Sequence, residues 1–340
     1  MKIITILVPC YNEENNINLL YNRLKNLIKS LPCYEFQILL INDGSKDKTL
    51  DRMQELHESD QRVSYLSLSR NFGKENAMLA GLDYASGDAV ILMDADLQDP
   101  PELIPQMIAE WEKGYDDVYA RRRSRAGETW LKKTTAHLYY RFLRKFADID
   151  IPVDVGDFRL LDRQAVDALC TLRERQRYTK GLFSWIGYNK KELLFDRDPR
   201  AAGNSKMNFL KLFGLAVDGI TSFSVAPLRL ASVLGLVIST VAFLYLLFVI
   251  IKTLLFGDPV AGYPSMISII LFMGGIQLIV LGIIGEYVGR IFYEAKGRPD
   301  YLVSEYNGAK VYNNQSVVRN RNITEMRCET FDIERRRHHE

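Results

Sequence analysis

Short apolar runs alternate with amphipathic stretches through the first 120 residues of the chain. Ile3–Val8, Phe36–Ile41, Val63–Leu68, Ala89–Met93 and Asp117–Ala120 read as strands, each short, apolar and bounded by polar or turn-forming residues. Between them the period changes. In Glu14–Ser30, the positions Ile17, Leu20, Tyr21, Leu24, Leu27 and Ile28 recur at helical spacing. Lys74–Ala85 reads as an Ala- and Leu-rich helix, and Pro100-Pro101 opens another, because proline suits a first turn. Strand–helix alternation at this spacing predicts an α/β domain with a mostly parallel, doubly wound sheet. Ligands of such sheets gather beyond the carboxyl ends of the strands. Tyr11-Asn12-Glu13, Asp43, Asp94-Ala95-Asp96 and Arg121-Arg122-Arg123 stand at those ends and are expected to converge on one rim.

The pattern changes after residue 205. In Met207–Thr221 the residues Met207, Leu210, Phe213, Val217 and Ile220 share one helical face, with Lys206, Lys211 and Asp218 elsewhere. This amphipathic segment fits a helix lying in a membrane interface and equally a helix packed on the domain. No charge occurs in the 22 residues from Leu230 to Ile251 or in the 27 from Pro259 to Gly285. The first run would span about 33 Å as a helix, the hydrocarbon thickness of a bilayer, so two transmembrane helices are expected. Arg229, Arg290, Lys296 and Arg298 flank them, whereas the connection holds only Lys252 and Asp258. The positive-inside rule then places both termini in the cytoplasm, with Lys252 running against it. The expected division is a catalytic domain over 1–205, an amphipathic segment over 206–228, two spans over 229–290 and a cytoplasmic tail over 291–340. Met1–Pro9 lacks the length and cleavage pattern of a signal peptide and reads as a first strand.

Composition narrows the function. The 340 residues carry 44 Lys+Arg against 42 Asp+Glu, which excludes a uniformly basic nucleic-acid-binding surface. Cys10, Cys33, Cys170 and Cys328 form no CxxC pair, so neither zinc nor a disulfide framework is expected, in keeping with a reducing compartment. The central chemical feature is Asp94-Ala95-Asp96 after an apolar strand. Alternate residues of an extended segment share a face, so both carboxylates can address one hard cation, Mg2+ or Mn2+, that also meets diphosphate oxygens. Such an ion neutralises charge growing on a departing diphosphate.

Val8-Pro9-Cys10-Tyr11-Asn12-Glu13-Glu14, Asn42-Asp43-Gly44-Ser45, Arg70-Asn71-Phe72-Gly73-Lys74, Asp94-Ala95-Asp96-Leu97-Gln98-Asp99-Pro100-Pro101 and Gly156-Asp157-Phe158-Arg159-Leu160 occur in this order. Together they resemble the family 2 glycosyltransferases of GT-A (Rossmann-like) fold, in the branch that loads sugars onto dolichyl or undecaprenyl phosphate. The resemblance covers roughly residues 3 to 210, and the hairpin is similar to that of the bacterial glucosyl members. It implies that Pro9, Tyr11 and Glu13 hold the nucleoside and that Asp43 contacts base or ribose. It implies Asp94 and Asp96 as metal ligands, with Gln98 a further one, and Arg122 reaching the phosphates. Gly203-Asn204-Ser205-Lys206 resembles a mobile loop that closes over the donor, with Ser205 and Lys206 near phosphate. A nucleotide-sugar donor, a polyisoprenyl phosphate acceptor, a multi-pass location in the inner (plasma) membrane and a homo-oligomer such as a tetramer follow from the same likeness. UDP-glucose is the favoured donor, and GDP-mannose or a UDP-aminoarabinose type stays open. So does a non-catalytic nucleotide-sugar-binding component of a glycan export complex. A processive synthase needs more spans and usually a Gln-x-x-Arg-Trp motif, which this sequence lacks.

Two features are read both ways. Arg121, Arg122, Arg123, Arg125, Lys132 and Lys133 can draw two anionic substrates and lipid headgroups together, or form a solvated basic face. Asp157 matches a candidate general base. A phosphate monoester with a second pKa of about 6 is already mostly a dianion at pH 7 and needs little deprotonation. An orienting or electrostatic role, paired with Arg159, is therefore preferred. His57 and His137 are expected as surface or packing residues.

Overall fold

The computed structural model describes residues 1–123, 155–175, 177–195, 226–256 and 262–311. Ser205, Lys206, Met207–Thr221, Arg125, Lys132, Lys133 and His137 lie outside the described residues, as does the tail after 311. The apolar runs become β1 (Lys2–Cys10), β2 (Tyr34–Asn42), β3 (Val63–Leu68) and β4 (Ala89–Leu92), paired in parallel in the spatial order β4-β1-β2-β3. The intervening periodic segments become α1 (Ile17–Lys29), α2 (Thr49–Ser59) and α3 (Lys74–Tyr84). After Pro100 a single 3-10 turn, Pro101–Leu103, leads into α4 (Ile104–Trp111).

The strands are apolar on both faces because both faces are covered. Ile4, Ile6 and Val8 of β1 join Leu20 and Leu24 of α1, Met53 of α2 and Met107 of α4 in one core. Leu7 points the other way, into a second core with Leu79 of α3. Each fully buried Leu or Ile contributes roughly 1.5–3 kcal/mol of burial free energy. Gly81 lets α3 lie flat on β1, since a Cβ there would come within 2.5 Å of the Leu7 side chain.

The sheet then departs from simple alternation. β5 (Asp117–Arg122), β6 (Val155–Asp162), β7 (Lys190–Phe195), β8 (Val303–Tyr306) and β9 (Ala309–Lys310) extend it to β7-β5-β6-β4-β1-β2-β3-β8-β9. β6 runs antiparallel between β4 and β5, and β8 runs antiparallel on β3. Residues 303–310, from the segment expected as a tail, thus belong to the sheet. Asn307, in a left-handed turn at φ 46°, accepts from the Tyr65 N–H at 2.8 Å and locks that edge. α5 (Arg163–Thr171) follows β6 and is capped by Asp162, which accepts from the Gln164 N–H at 2.9 Å. α6 (Thr179–Trp185) joins α5 in the second core.

Two long helices complete the described chain, α7 (Ala226–Phe256, 31 residues) and α8 (Tyr263–Ala295, 33 residues). At 1.5 Å per residue they extend about 46 and 50 Å. Their large apolar side chains face outward, Leu236 being 70% and Phe272 66% exposed. Among the described residues, Phe272–Ala295 of α8 is long and apolar enough to cross a membrane, with mean hydropathy 1.6, and Ala231–Tyr245 of α7 is a shorter apolar stretch. The apolar part of α8 lies further along than the uncharged run, and its Arg290 pairs with Glu286 at 3.1 Å one turn away.

Candidate active site

The rim at the ends of β1 and β2 is built by two loops stitched together. The Asn12 N–H donates to Ser45 Oγ (3.0 Å), the Glu13 N–H to Thr49 Oγ1 (2.8 Å) and the Glu14 N–H to Asp47 Oδ2 (3.3 Å). In return the Lys46 N–H donates to Asn12 Oδ1 (2.8 Å) and the Lys48 N–H to Glu14 Oε2 (3.0 Å). Asn12 takes φ 56°, a left-handed turn that Asn tolerates. Pro9 sits on β1 opposite Ile41, Tyr11 projects with 41% exposure, and Glu13 accepts from Asn16 Nδ2 at 2.6 Å.

The loop after β3 is tied to the same rim. Asp43 is 3% exposed, and its two oxygens accept the N–H groups of Phe72 (2.7 Å) and Gly73 (3.0 Å). Burial pushes its carboxyl up, against those two N–H groups that pull it down. Gly44 is required beside it: its φ is 62°, and a Cβ would meet the Arg70 carbonyl carbon at 2.4 Å.

Lys74 opens α3 directly after this loop and carries the main finding. Its ammonium lies 2.5 Å from Asp94 Oδ1 and 2.5 Å from Asp157 Oδ2. The pairing of β4 with β6 brings the two carboxylates to one end of the sheet: Leu92↔Arg159 is the last pair of the ladder, and Asp94 and Asp157 each lie two residues beyond it. Burial would raise the Asp157 carboxyl, but Lys74, by charge and hydrogen bond, together with the charges of Lys180 and Arg159, holds it below the usual range. Burial likewise works against the charge on Lys74, and the two carboxylates more than reverse it. Asp99 accepts the Asp94 N–H at 3.1 Å, and burial with the nearby Asp94 charge pushes its carboxyl up to about 7. Glu75 accepts from the Thr179 hydroxyl, and burial followed by the Asp157 charge raises it.

The Asp94–Asp96 triplet is not part of a strand. β4 stops at Leu92, and the triplet turns through Leu97, whose φ of 62° is a left-handed strain of about 1–3 kcal/mol. Burial alternates along it, Asp94, Asp96 and Gln98 being half-buried while Ala95, Leu97 and Asp99 are buried. Asp96 Oδ1 accepts the Gln98 N–H at 3.2 Å.

Arg159 corrects one expectation. It does not pair with Asp157, two residues away on the same strand. Its Nη1 donates to Asp117 Oδ2 on β5 at 2.9 Å, with 4% and 0% exposure of the two side chains. Its guanidinium carbon lies 3.5 Å from the Phe183 ring centroid. Burial pushes the Asp117 carboxyl up, against the Arg159 charge. Within the expected basic cluster, Arg121 is held by Glu192 at 3.0 Å across β5 and β7, and Arg122 ends β5 opposite Phe195. His57 packs edge-on against Tyr65, with Nδ1 2.6 Å from the Val63 carbonyl.

Sequence reading quoted Lys74 within a motif without giving it a role, and it passed over Glu75, Asp117, Thr49 and Thr179. A Lys-Glu pair opening a helix after glycine was the available signal for the first two. Among the described residues no group of three or more His, Cys, Asp and Glu side chains is arranged to hold a metal ion. Even so, the donor set suits a hard cation: Asp157 Oδ1 is buried without a hydrogen-bond partner, and Asp94 and Asp157 already share one positive charge.

A mixed α/β sheet of GT-A type with acidic side chains clustered at its carboxyl rim is the framework of a glycosyltransferase. Residues 5–170 match the model for glycosyl transferase family 2, and residues 226–291 match that for the GtrB C-terminal hairpin. An uncharacterized glycosyltransferase of Synechocystis is 50% identical over 305 residues, 90% of this chain and 96% of that one. The bactoprenol glucosyl transferase of Shigella phage SfII is 47% identical over 305 residues, 90% of this chain and 98% of that one. Among solved structures, glucosyl-3-phosphoglycerate synthase from Mycobacterium tuberculosis, in complex with Mn2+ and UDP-glucose, is 18% identical with a TM-score of 0.43. It covers 63% of this chain and 75% of that one. The chain belongs to glycosyl transferase family 2 and is a glycosyltransferase.

Proposed function

We propose that this enzyme transfers glucose from UDP-glucose to undecaprenyl phosphate or a related polyisoprenyl phosphate, with inversion at the anomeric carbon. The observation that carries the reading is the convergence of Asp94 and Asp157 on one positive charge at the rim where the nucleotide motifs meet. The name bactoprenol glucosyl transferase, borne by relatives that match this chain over their near-full length, supports the sugar and the lipid class.

In the proposed step a phosphate oxygen of the lipid forms a bond to C1 of glucose while the bond from C1 to the diphosphate oxygen breaks, releasing UDP. Asp94, Asp96 and Gln98 would hold a divalent cation, Mg2+ or Mn2+, which supplies charge neutralisation for the departing diphosphate. Pro9, Tyr11 and Glu13 flank the nucleoside. Asp43 fixes the loop over residues 70–73 and meets the nucleoside through the lone pairs its two N–H bonds leave. Arg122, Ser205 and Lys206 are assigned to the phosphates. Asp157 orients and balances charge through Lys74, since its carboxyl sits below the usual range and the acceptor is already ionised near pH 7. α7 and α8 anchor the enzyme in the plasma membrane with catalytic domain and termini cytoplasmic, and the protomers form a homo-oligomer.

The test is release of the nucleoside diphosphate (UDP from UDP-glucose, GDP from GDP-mannose) by the detergent-solubilised full chain, with and without undecaprenyl phosphate. Release is expected only from UDP-glucose with the lipid present. Turnover of GDP-mannose alone, or of UDP-glucose at the same rate without lipid, would overturn the assignment.

A further inference from the structure

A cavity of about 310 Å³ opens where α8 ends, on the far side of the loop that carries Lys74. Its walls bring together four cationic side chains from three parts of the chain: Arg70, Arg175, Lys296 and Arg298. Only one carboxylate, Asp300, shares the lining, and it lies 3.7 Å from Arg175. Among the described residues, Arg70, Lys296 and Arg298 pair with no carboxylate. Arg70 instead stacks on Phe72 with its guanidinium carbon 4.1 Å from the ring centroid. Four cations against one carboxylate give the lining itself a net charge of +3; beyond the lining, Asp43 senses the Arg70 charge and Glu294 accepts the Arg175 N–H.

The position of this charge is specific. Lys296 caps α8 immediately after the apolar stretch Phe272–Ala295, and Tyr293, an amphipathic aromatic, stands one turn earlier. A basic pocket at the polar end of a membrane helix lies at the depth of lipid phosphates. None of Lys74, Asp94, Asp96 or Asp157 lines the cavity, so it is separate from the point where the transferred sugar must sit. Yet Phe72 lines it, and the Phe72 N–H is one of the two that Asp43 holds. A ligand there touches the same loop that positions Lys74.

We propose that this cavity binds the phosphodiester headgroup of an anionic phospholipid of the surrounding leaflet, and that its occupancy steadies the 70–74 loop. The inference rests on α8 lying in a bilayer, as the functional reading above holds. The acceptor's own phosphate is not the expected occupant, because the transfer carboxylates are absent from the lining.

The experiment uses the full chain and the exposed-residue variants Lys296→Gln, Arg298→Gln and the pair together. Melting of each in detergent serves as the folding control. Native mass spectrometry of protein released from bilayers of phosphatidylcholine with phosphatidylglycerol should show one phosphatidylglycerol retained per wild-type chain and none in the double variant. For protein reconstituted in bilayers with 20% phosphatidylglycerol, the ratio of phosphatidylglycerol to phosphatidylcholine retained should fall roughly five-fold per charge removed, while incorporation into pure phosphatidylcholine bilayers stays unchanged. Millimolar inorganic phosphate should not displace the lipid. Equal retention by wild type and double variant would overturn the site. Displacement by inorganic phosphate, or preferential retention of undecaprenyl phosphate when both lipids are present, would overturn the headgroup assignment. Failure of the wild type to incorporate into either bilayer would instead remove the membrane reading itself.

Discussion

Removing Asp117 should damage this protein more than removing any surface charge, although Asp117 lies outside the transfer pocket. The Asp117 side chain is fully buried and Arg159 is 4% exposed, with 2.9 Å between them. In Asp117→Ala the guanidinium keeps a 3.4 Å contact to the Gly156 carbonyl and the Phe183 ring beneath it. The Arg159 Nε already lacks a partner. An uncompensated buried charge costs about 3–5 kcal/mol, and the ring contact, worth about 0.5–2 kcal/mol in wild type and variant alike, cancels from the difference. At roughly 2–4 °C per kcal/mol for a domain of this size, the melting temperature should drop by about 10 °C. Replacing both partners, as Asp117→Leu with Arg159→Met, should recover most of the loss, because a well-packed apolar pair avoids both desolvation penalties. The assay is thermal unfolding in detergent followed by near-ultraviolet circular dichroism for the wild type, both single variants and the double. A drop under 2 °C in Asp117→Ala, or a double variant as unstable as the two singles summed, would refute the buried-charge argument.

Asp157→Asn should lower turnover by roughly 10²-fold through misplacement of Lys74 and the acceptor. Because Lys74 rather than a titrating acceptor is its partner, the loss should be even across pH 6 to 9, and an acid-side excess in the pH–rate profile would return Asp157 to the base role. Asp96→Asn should cost about 10²-fold or more in turnover with unchanged melting, and excess chelator should abolish wild-type activity; full activity in chelator would remove the metal assignment. Asp60 is held well below the usual carboxylate range, chiefly by hydrogen bonds from Arg62. Its folded pKa lies under its unfolded value of about 3.9, so its stabilisation is whole above that pH and fades as pH falls toward the folded value. Asp60→Asn should therefore melt lower than the wild type at pH 6, and the gap should narrow between about pH 4 and 2.

The parallel half of the sheet was legible in the sequence because its determinants are local. β3 occupies Val63–Leu68 as read, and α3 begins at Lys74 as read, since a short apolar strand and an Ala- and Leu-rich helix are each marked by neighbouring residues. The rim clusters at Tyr11, Asp43 and Asp94 were likewise readable, because turn-forming residues mark strand ends. β6 was not assigned, although its motif was quoted: an antiparallel strand inserted between β4 and β5 is defined by pairing partners some 70 and 40 residues away, and periodicity carries no trace of which partner is chosen. The same holds for β8, whose four residues lie between the edge of β3 and the short β9. That register decided the site. With β6 facing β4, Asp157 meets Asp94 across Lys74, and Arg159, two residues on, turns inward to Asp117. Sequence proximity favoured an Asp157–Arg159 pair. Burial overruled it, since a guanidinium enclosed by the sheet and Phe183 requires a carboxylate enclosed with it, and only the folded sheet brings Asp117 there.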